Sequence, residues 1–141
     1  VGVRSRGLGY VYKRQALRVD RAALDARIDA RAVAMFDAGL MDETEELMSA
    51  GLDQGTTAPR AIGYAQALAV IDGTMSVTEA VDSTALATRR LASRQLKWFR
   101  RDPRVHWIDV TLTATGQCTD SERSRLTREA WELVCERRGV A

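Results

Sequence analysis

Residues 76–103, SVTEAVDSTALATRRLASRQLKWFRRDP, form the longest uninterrupted helical pattern in the chain. Ser76-Val77-Thr78-Glu79 is a capping box, in which the serine hydroxyl accepts from the amide three residues on and the glutamate reaches back to the serine amide. Pro103 disfavours helical geometry at Asp102 and so stops the helix near residue 101. At about 100° per residue, with Arg90 at zero, Arg94 falls near 40°, Lys97 near 340° and Arg101 near 20°. These four cations share an arc of about 60° and extend about 16 Å along the axis. Val77, Ala80, Val81, Thr84, Leu91, Trp98 and Phe99 fall roughly between 80° and 180°, an apolar face expected to pack inward. The cations line one rim of that face.

Outward from this helix, glycines and prolines mark the remaining elements. A first helix is expected from about residue 21, with Leu24, Ile28, Ala32 and Met35 at three- and four-residue intervals and Gly39 as the stop. A second, acidic helix covers roughly residues 42–50 and ends at Gly51. Residues 52–59 read as a loop. A third helix is expected from Pro59, whose missing amide suits a helix start, to residue 72. Residues 16–19 and 105–110 read as short strands with no sheet partner in view. A last capping box, at residues 119–122, opens a tail helix ending near residue 138. The fold class is mainly α, with one or two short strands.

The chain has 141 residues and a formal net charge of +2, so one domain is the expectation. With 45% hydrophobic and 28% charged residues it has a globular composition. Cys118 and Cys135 are too few for a disulfide framework or a closed zinc site, which makes a cytosolic protein the default. The charge is unevenly placed. Residues 16–82 carry five basic and twelve acidic groups, whereas residues 89–104 carry seven basic groups against Asp102 alone. An acidic body with one concentrated basic segment points to a localised anion-binding surface. Residues 1–15 add four more cations and no acid, and RGLGYVYKRQ resembles translated adapter read-through. They are set apart as a non-native leader.

Several residues have two readings. The basic stripe is either a solvated face or a grip for phosphates or for an acidic protein surface; arginine, six to one over lysine in the segment, suits phosphate oxygens. Gln95, near 140° and so inside the apolar arc, is either bonded to a neighbouring helix or a polar hand for a base edge. Trp98 reads as core, with base stacking as the alternative. Arg27 and Arg31, one turn apart, can clamp a phosphate or diphosphate, or snorkel, or pair with the acids around them. Gly63, inside the expected third helix, implies close approach of a backbone or ligand; beside Arg60 and Tyr64, a nucleic-acid contact and tight helix packing are both open. His106 reads as structural. No GxxxxGK[ST], HExxH, CxxC or GxSxG motif occurs, so no nucleophile, metal cage or catalytic residue is assigned.

Four segments in order, Arg27-Ile28-x-x-Arg31 with Met35 and Gly39-Leu40, then 60–64 (RAIGY), then 88–100 (TRRLASRQLKWFR), then His106-Trp107, resemble the C-terminal part of the tRNA dimethylallyltransferases. The likeness covers about residues 16–110. It implies a helical C-terminal portion of an α/β P-loop-type transferase; residues 111–141, read from their own pattern as linker and tail helix, match nothing in the family. It implies transfer of a dimethylallyl group from dimethylallyl diphosphate to N6 of the adenosine 3′ of the anticodon. The partners would be a tRNA anticodon stem-loop and the diphosphate, with Mg²⁺ held by an N-terminal half. By the same likeness Arg60, Ala61, Ile62, Gly63, Tyr64 and Ala65, and Arg94, Gln95, Lys97, Trp98 and Arg100, bind tRNA, with Arg90 and Arg101 added from the basic stripe, while Arg27 and Arg31 face the diphosphate. Ser93 and Lys97 depart from the family's usual residues. The chain alone is expected to be an inactive, monomeric, cytoplasmic fragment. The alternative is a non-catalytic helical adaptor whose basic helix binds nucleic acid or an acidic protein.

Overall fold

The structure, a computed structural model, describes residues 14–135. Strand β1 (Arg14–Val19) leads into α1 (Arg21–Asp37), followed by α2 (Leu40–Ser49), α3 (Tyr64–Ile71) and α4 (Val77–Phe99). Strand β2 (Val105–Val110) and helix α5 (Asp120–Cys135) complete the order. Two short 3-10 turns, Leu52–Gln54 and Ala58–Arg60, link α2 to α3.

The boundaries have local chemical causes. Asp20 caps α1, its carboxylate accepting from the Ala23 amide at 3.0 Å. Ser76 and Glu79 form the expected box on α4, with Glu79 accepting from the Ser76 amide at 2.8 Å. The third helix is shorter than its pattern suggested. Pro59 sits in a 3-10 turn, and Gly63, at φ +104°, breaks the run before α3 begins. A right-handed helix cannot pass through a positive φ, and only glycine takes one without strain. Gly63 is therefore a cap and not a helix-interior residue; its amide donates to Gln66 Oε1 at 2.9 Å. Close approach is also real there, since an added Cβ would stand 3.1 Å from Met35 Cε.

The two strands are not orphans. They pair with each other in parallel, from Arg14 opposite Val105 to Val19 opposite Val110. A parallel pair needs a long crossover, which the four-helix stretch between them supplies. Arg14 and Gln15, set apart with the leader, belong to β1; residues 1–13 lie outside the described residues. Ala16, Val105 and Ile108 are buried on the strands, and the helical core forms two clusters joined at Val81. Phe36, Leu40, Ala67 and Ala80 form one, and Ile28, Ala32 and Ala85 form the other. Alanines at these contacts let α1, α3 and α4 approach closely.

The tail folds back. Gln15 Nε2 donates to the Ala130 carbonyl at 3.1 Å, and Arg125 donates to the Asp109 carbonyl and to Glu122 and Glu129. Thr119 caps α5, its hydroxyl accepting from the Glu122 amide at 3.2 Å. The Glu122 carboxylate does not return to Thr119; it accepts from the Thr111 amide at 2.7 Å and so ties α5 to the end of β2.

Candidate nucleic-acid interface

Helix α4 ends at Phe99, two residues before the expected stop; it presents Arg90, Arg94 and Lys97 to solvent and Arg101 follows in the turn after it, all four exposed. Among the described residues none of them is in an ion pair or a side-chain hydrogen bond, and the same is true of Arg100. The surrounding cations are different. Arg89 pairs with Asp29, Arg21 with Asp25, and Arg14 and Arg104 with Asp102. Asp102, the only acid within the basic segment, is thus already used twice. The Arg104 guanidinium and amide, the first the larger influence, hold its carboxyl far below the usual range. It has nothing left for the stripe.

Self-repulsion along the stripe is relieved only at its end. The partial negative charge of a helix C-terminus favours cations by about 0.3–1 kcal/mol each, but only within the last turn. Lys97, Arg100 and Arg101 stand there; Arg90 and Arg94 do not. For those two, the described residues supply neither an ion pair nor the helix end.

Two clefts run beside the stripe. One, of about 450 Å³, has Arg21, Arg89, Arg90 and Arg94 on its walls together with the Asp25 carboxylate, and the next, of about 510 Å³, has Arg21, Lys97, Arg100 and Arg101. Arg21 Nη1 donates to Ser93 Oγ at 2.8 Å and forms the ridge between them. Sequence reasoning missed Arg21, because a residue at the start of α1 gives no sign that it meets the middle of α4. The antiparallel packing of those helices brings it there.

The apolar arc of α4 is not uniformly packed. Ala80, Thr84 and Ala85 are buried, whereas Leu91 (38% exposed), Gln95 and Trp98 (60% exposed) face solvent, as does Val77 in the first turn, contrary to its expected inward packing. The readings of Trp98 as core and of Gln95 as an amide within a packed face are therefore corrected. The cause is length: α3 has 8 residues and α4 has 23, so α3 covers only the N-terminal part of α4. Gln95 needs no buried partner, and its amide is open at the edge of a more apolar groove, about 630 Å³, between α4 and β1.

Arg60 to Ala65 lie elsewhere. Arg60 and Ala61 are exposed, Ile62, Tyr64 and Ala65 half-buried, and Gly63 buried at the turn. Tyr64 donates its hydroxyl to Glu43, which raises the phenol pKa above its ordinary value. Together with Met35, Ala38, Leu40 and Ile62 they line a cleft of about 330 Å³. Gln66 reaches Ser83 on α4 at 3.4 Å. Ser83 precedes Arg94 by three helical turns, roughly 16 Å. The two tRNA-assigned segments thus flank one helical body without meeting in one cleft.

Arg27 and Arg31 are both exposed on α1 and line none of the clefts along α4. Arg27 Nη1 donates to the Gly116 carbonyl at 2.9 Å, so this arginine holds the tail. Arg31 has no partner among the described residues. Neither is paired with an acid. His106 is exposed on β2 opposite Gln15. Among the described residues no group of three or more His, Cys, Asp or Glu side chains could hold a metal ion. No described helix is long and apolar enough to cross a membrane.

Comparison with known proteins places this geometry. Residues 5–102 match the IPP transferase family, a span that reaches into the segment set apart as a leader. The tRNA dimethylallyltransferase of Pseudarthrobacter chlorophenolicus is 51% identical over 108 residues, 73% of this chain and 36% of that protein. The one from Thermobifida fusca is 45% identical over 120 residues, 85% of this chain and 34% of that protein. The chain therefore spans about a third of the length of these curated relatives. Among solved structures, the full-length tRNA isopentenylpyrophosphate transferase of Bacillus halodurans superimposes with a TM-score of 0.69 at 31% identity, over 89% of this chain and 41% of that one. The Staphylococcus epidermidis tRNA delta(2)-isopentenylpyrophosphate transferase gives 0.65 at 27% identity, over 82% and 37%.

Proposed function

Because the chain belongs to the IPP transferase family, we propose that it is the RNA-gripping part of a tRNA dimethylallyltransferase. In this reading the whole protein transfers a dimethylallyl group from dimethylallyl diphosphate to N6 of the adenosine 3′ of the anticodon, in the cytoplasm. A C–N bond forms at the adenine, the C–O bond to diphosphate breaks, and the N6 proton leaves. The amine is a poor nucleophile held in a base stack, so the reaction needs the base drawn out and the leaving group neutralised. Drawing a base out requires that the RNA backbone be held still. The α4 stripe supplies that hold: Arg90, Arg94, Lys97, Arg100 and Arg101 take consecutive phosphates, with Gln95 and Trp98 towards the bases. Arg60 to Ala65 form a second contact on the far flank of the helical body. Arg31 keeps a free guanidinium for the diphosphate, whereas Arg27 already gives a donor to Gly116.

The observation that supports this reading is selective pairing. Among the described residues, carboxylates answer Arg14, Arg18, Arg21, Arg89 and Arg104 but none of the five cations on the C-terminal half of α4 and the turn after it. The test is binding of an anticodon stem-loop across a salt series. Affinity should fall as salt rises, the hairpin should be preferred over duplex DNA, and Arg94→Ala should reduce the log–log slope by about 1. Slopes unchanged in both Arg94→Ala and Arg101→Ala overturn the assignment.

A further inference from the structure

We propose that the tail, residues 111–135, is a hinged cover over an anion site on α1. Docked, it holds the Arg27 guanidinium on the Gly116 carbonyl; undocked, it frees Arg27 to join Arg31 in holding a diphosphate. The proposal rests on the reading of Arg31 as a diphosphate ligand and adds the regulation of that site. Arg27 and Arg31 stand one turn apart on α1, both exposed, so their side chains are neighbours on the helix surface. Arg27 Nη1 donates to the Gly116 carbonyl at 2.9 Å, while Arg31 has no partner among the described residues. The carbonyl oxygen takes the place on Arg27 that a phosphoryl oxygen would take. Gly116 is itself buried against α1, where an added Cβ would stand 2.8 Å from both the N and the Cα of Arg27.

Loop and helix of the tail are bonded to each other as one piece. The Thr113 amide donates to the Gln117 carbonyl at 2.9 Å and the Gly116 amide to the Thr113 carbonyl at 2.8 Å, which closes the loop on itself. The Thr111 amide donates to Glu122 at 2.7 Å, and Arg125 pairs with Glu122 and Glu129 inside α5. This piece begins after Val110, where β2 ends. Its hold on the body is lighter. Side-chain hydrogen bonds fasten it at Arg27 to Gly116, at Gln15 to the Ala130 carbonyl and at Arg125 to the Asp109 carbonyl. No residue of α5 is buried, and Trp131 is 64% exposed. An element with so little buried apolar surface opens at the low end of a protein's stability range, without unfolding the helices beneath it. A ligand that needs Arg27 binds only the undocked form, so its apparent affinity is reduced by the fraction undocked.

The experiment titrates inorganic diphosphate into the 141-residue chain by calorimetry and reads amide exchange of α5 in the same samples. Gly116→Ala opens the tail at its loop, and Arg125→Ala opens it at α5, leaving Arg27 and Gly116 unaltered. In each variant affinity should rise about tenfold or more, by the factor by which α5 exchange accelerates. Arg27→Ala, added to Gly116→Ala, should cancel that gain. By reciprocity, saturating diphosphate should speed α5 exchange in the unaltered chain. Unchanged affinity in both variants, with α5 exchange accelerated and binding still lost in Arg31→Ala, overturns the cover and leaves the Arg31 reading standing. Slower α5 exchange with diphosphate bound, or no acceleration of α5 in either variant, also overturns the cover. Binding that survives Arg31→Ala, or no binding in any of these chains, sinks the diphosphate reading and the cover together.

Discussion

Gly116→Ala should release the tail from the helical body while leaving α4 intact. Gly116 has φ +74°, and a Cβ built on it would stand 2.6 Å from Arg27 Cβ and 2.8 Å from both Arg27 Cα and Arg27 N. Two of those atoms are backbone of α1, which cannot yield without breaking its own hydrogen bonds, so residue 116 must move. An L-residue at a left-handed backbone position costs about 1–2 kcal/mol. Displacement also removes the Arg27 to Gly116 hydrogen bond, worth about 0.5–1.5 kcal/mol net. A combined cost of about 2–3 kcal/mol corresponds to an increase of about thirty- to a hundred-and-fifty-fold in the opening equilibrium of the tail. Amide hydrogen exchange measures this directly. Amides of α5 should exchange faster by that factor, while those around Ala80 to Ala85 on α4 keep their protection. Unchanged exchange in α5 would refute the claim that residue 116 holds the tail. Equal acceleration in α4 would refute the claim that tail and helical body open separately.

Arg89→Ala should leave RNA binding and its salt slope nearly unchanged, in contrast to Arg94→Ala, because Asp29 already answers Arg89; stability should shift by less than about 1 kcal/mol in a denaturant titration. The Glu122 carboxyl, lowered from 4.5 to about 2 by the Arg125 guanidinium first and the Thr111 amide second, makes tail docking acid-sensitive. A depressed folded pKa means that its contribution is complete above about 4.5 and is lost as pH falls through about 2; Glu122→Gln should flatten α5 protection across that window in exchange measured against pH. Ala85→Leu should lower stability by about 1–3 kcal/mol in thermal melts, since Ala85 is 4% exposed where α1 and α4 meet through small side chains.

Most helices were legible because their signals are local. The capping box at Ser76, the hydroxyl cap at Thr119, the glycines after α1 and α2, and Pro103 after α4 act within a few residues of where they stand. The third helix was overextended because a periodic apolar pattern runs through Gly63, and periodicity alone does not show a positive φ. For the site, the angular positions of Arg90, Arg94, Lys97 and Arg101 followed from helix geometry. Their lack of carboxylate partners did not, since any of the twelve acids in residues 16–82 could have folded over them. The exposure of Trp98 and Gln95 was misread for a related reason. A helical wheel places a residue on a face without showing how far along the helix its neighbours reach.

What sequence alone determines here is helix content, the position of the helix ends, and which side of α4 carries positive charge, because each follows from interactions spanning one or two turns. Tertiary structure decides the rest. It pairs β1 with β2 across about ninety residues of sequence, commits Arg27 to the tail, and brings Arg21 to the middle of α4. It also ends the cover that α3 gives to α4 before Leu91. Those outcomes depend on how closely separate helices pack and where each stops, and no short window of sequence contains both partners.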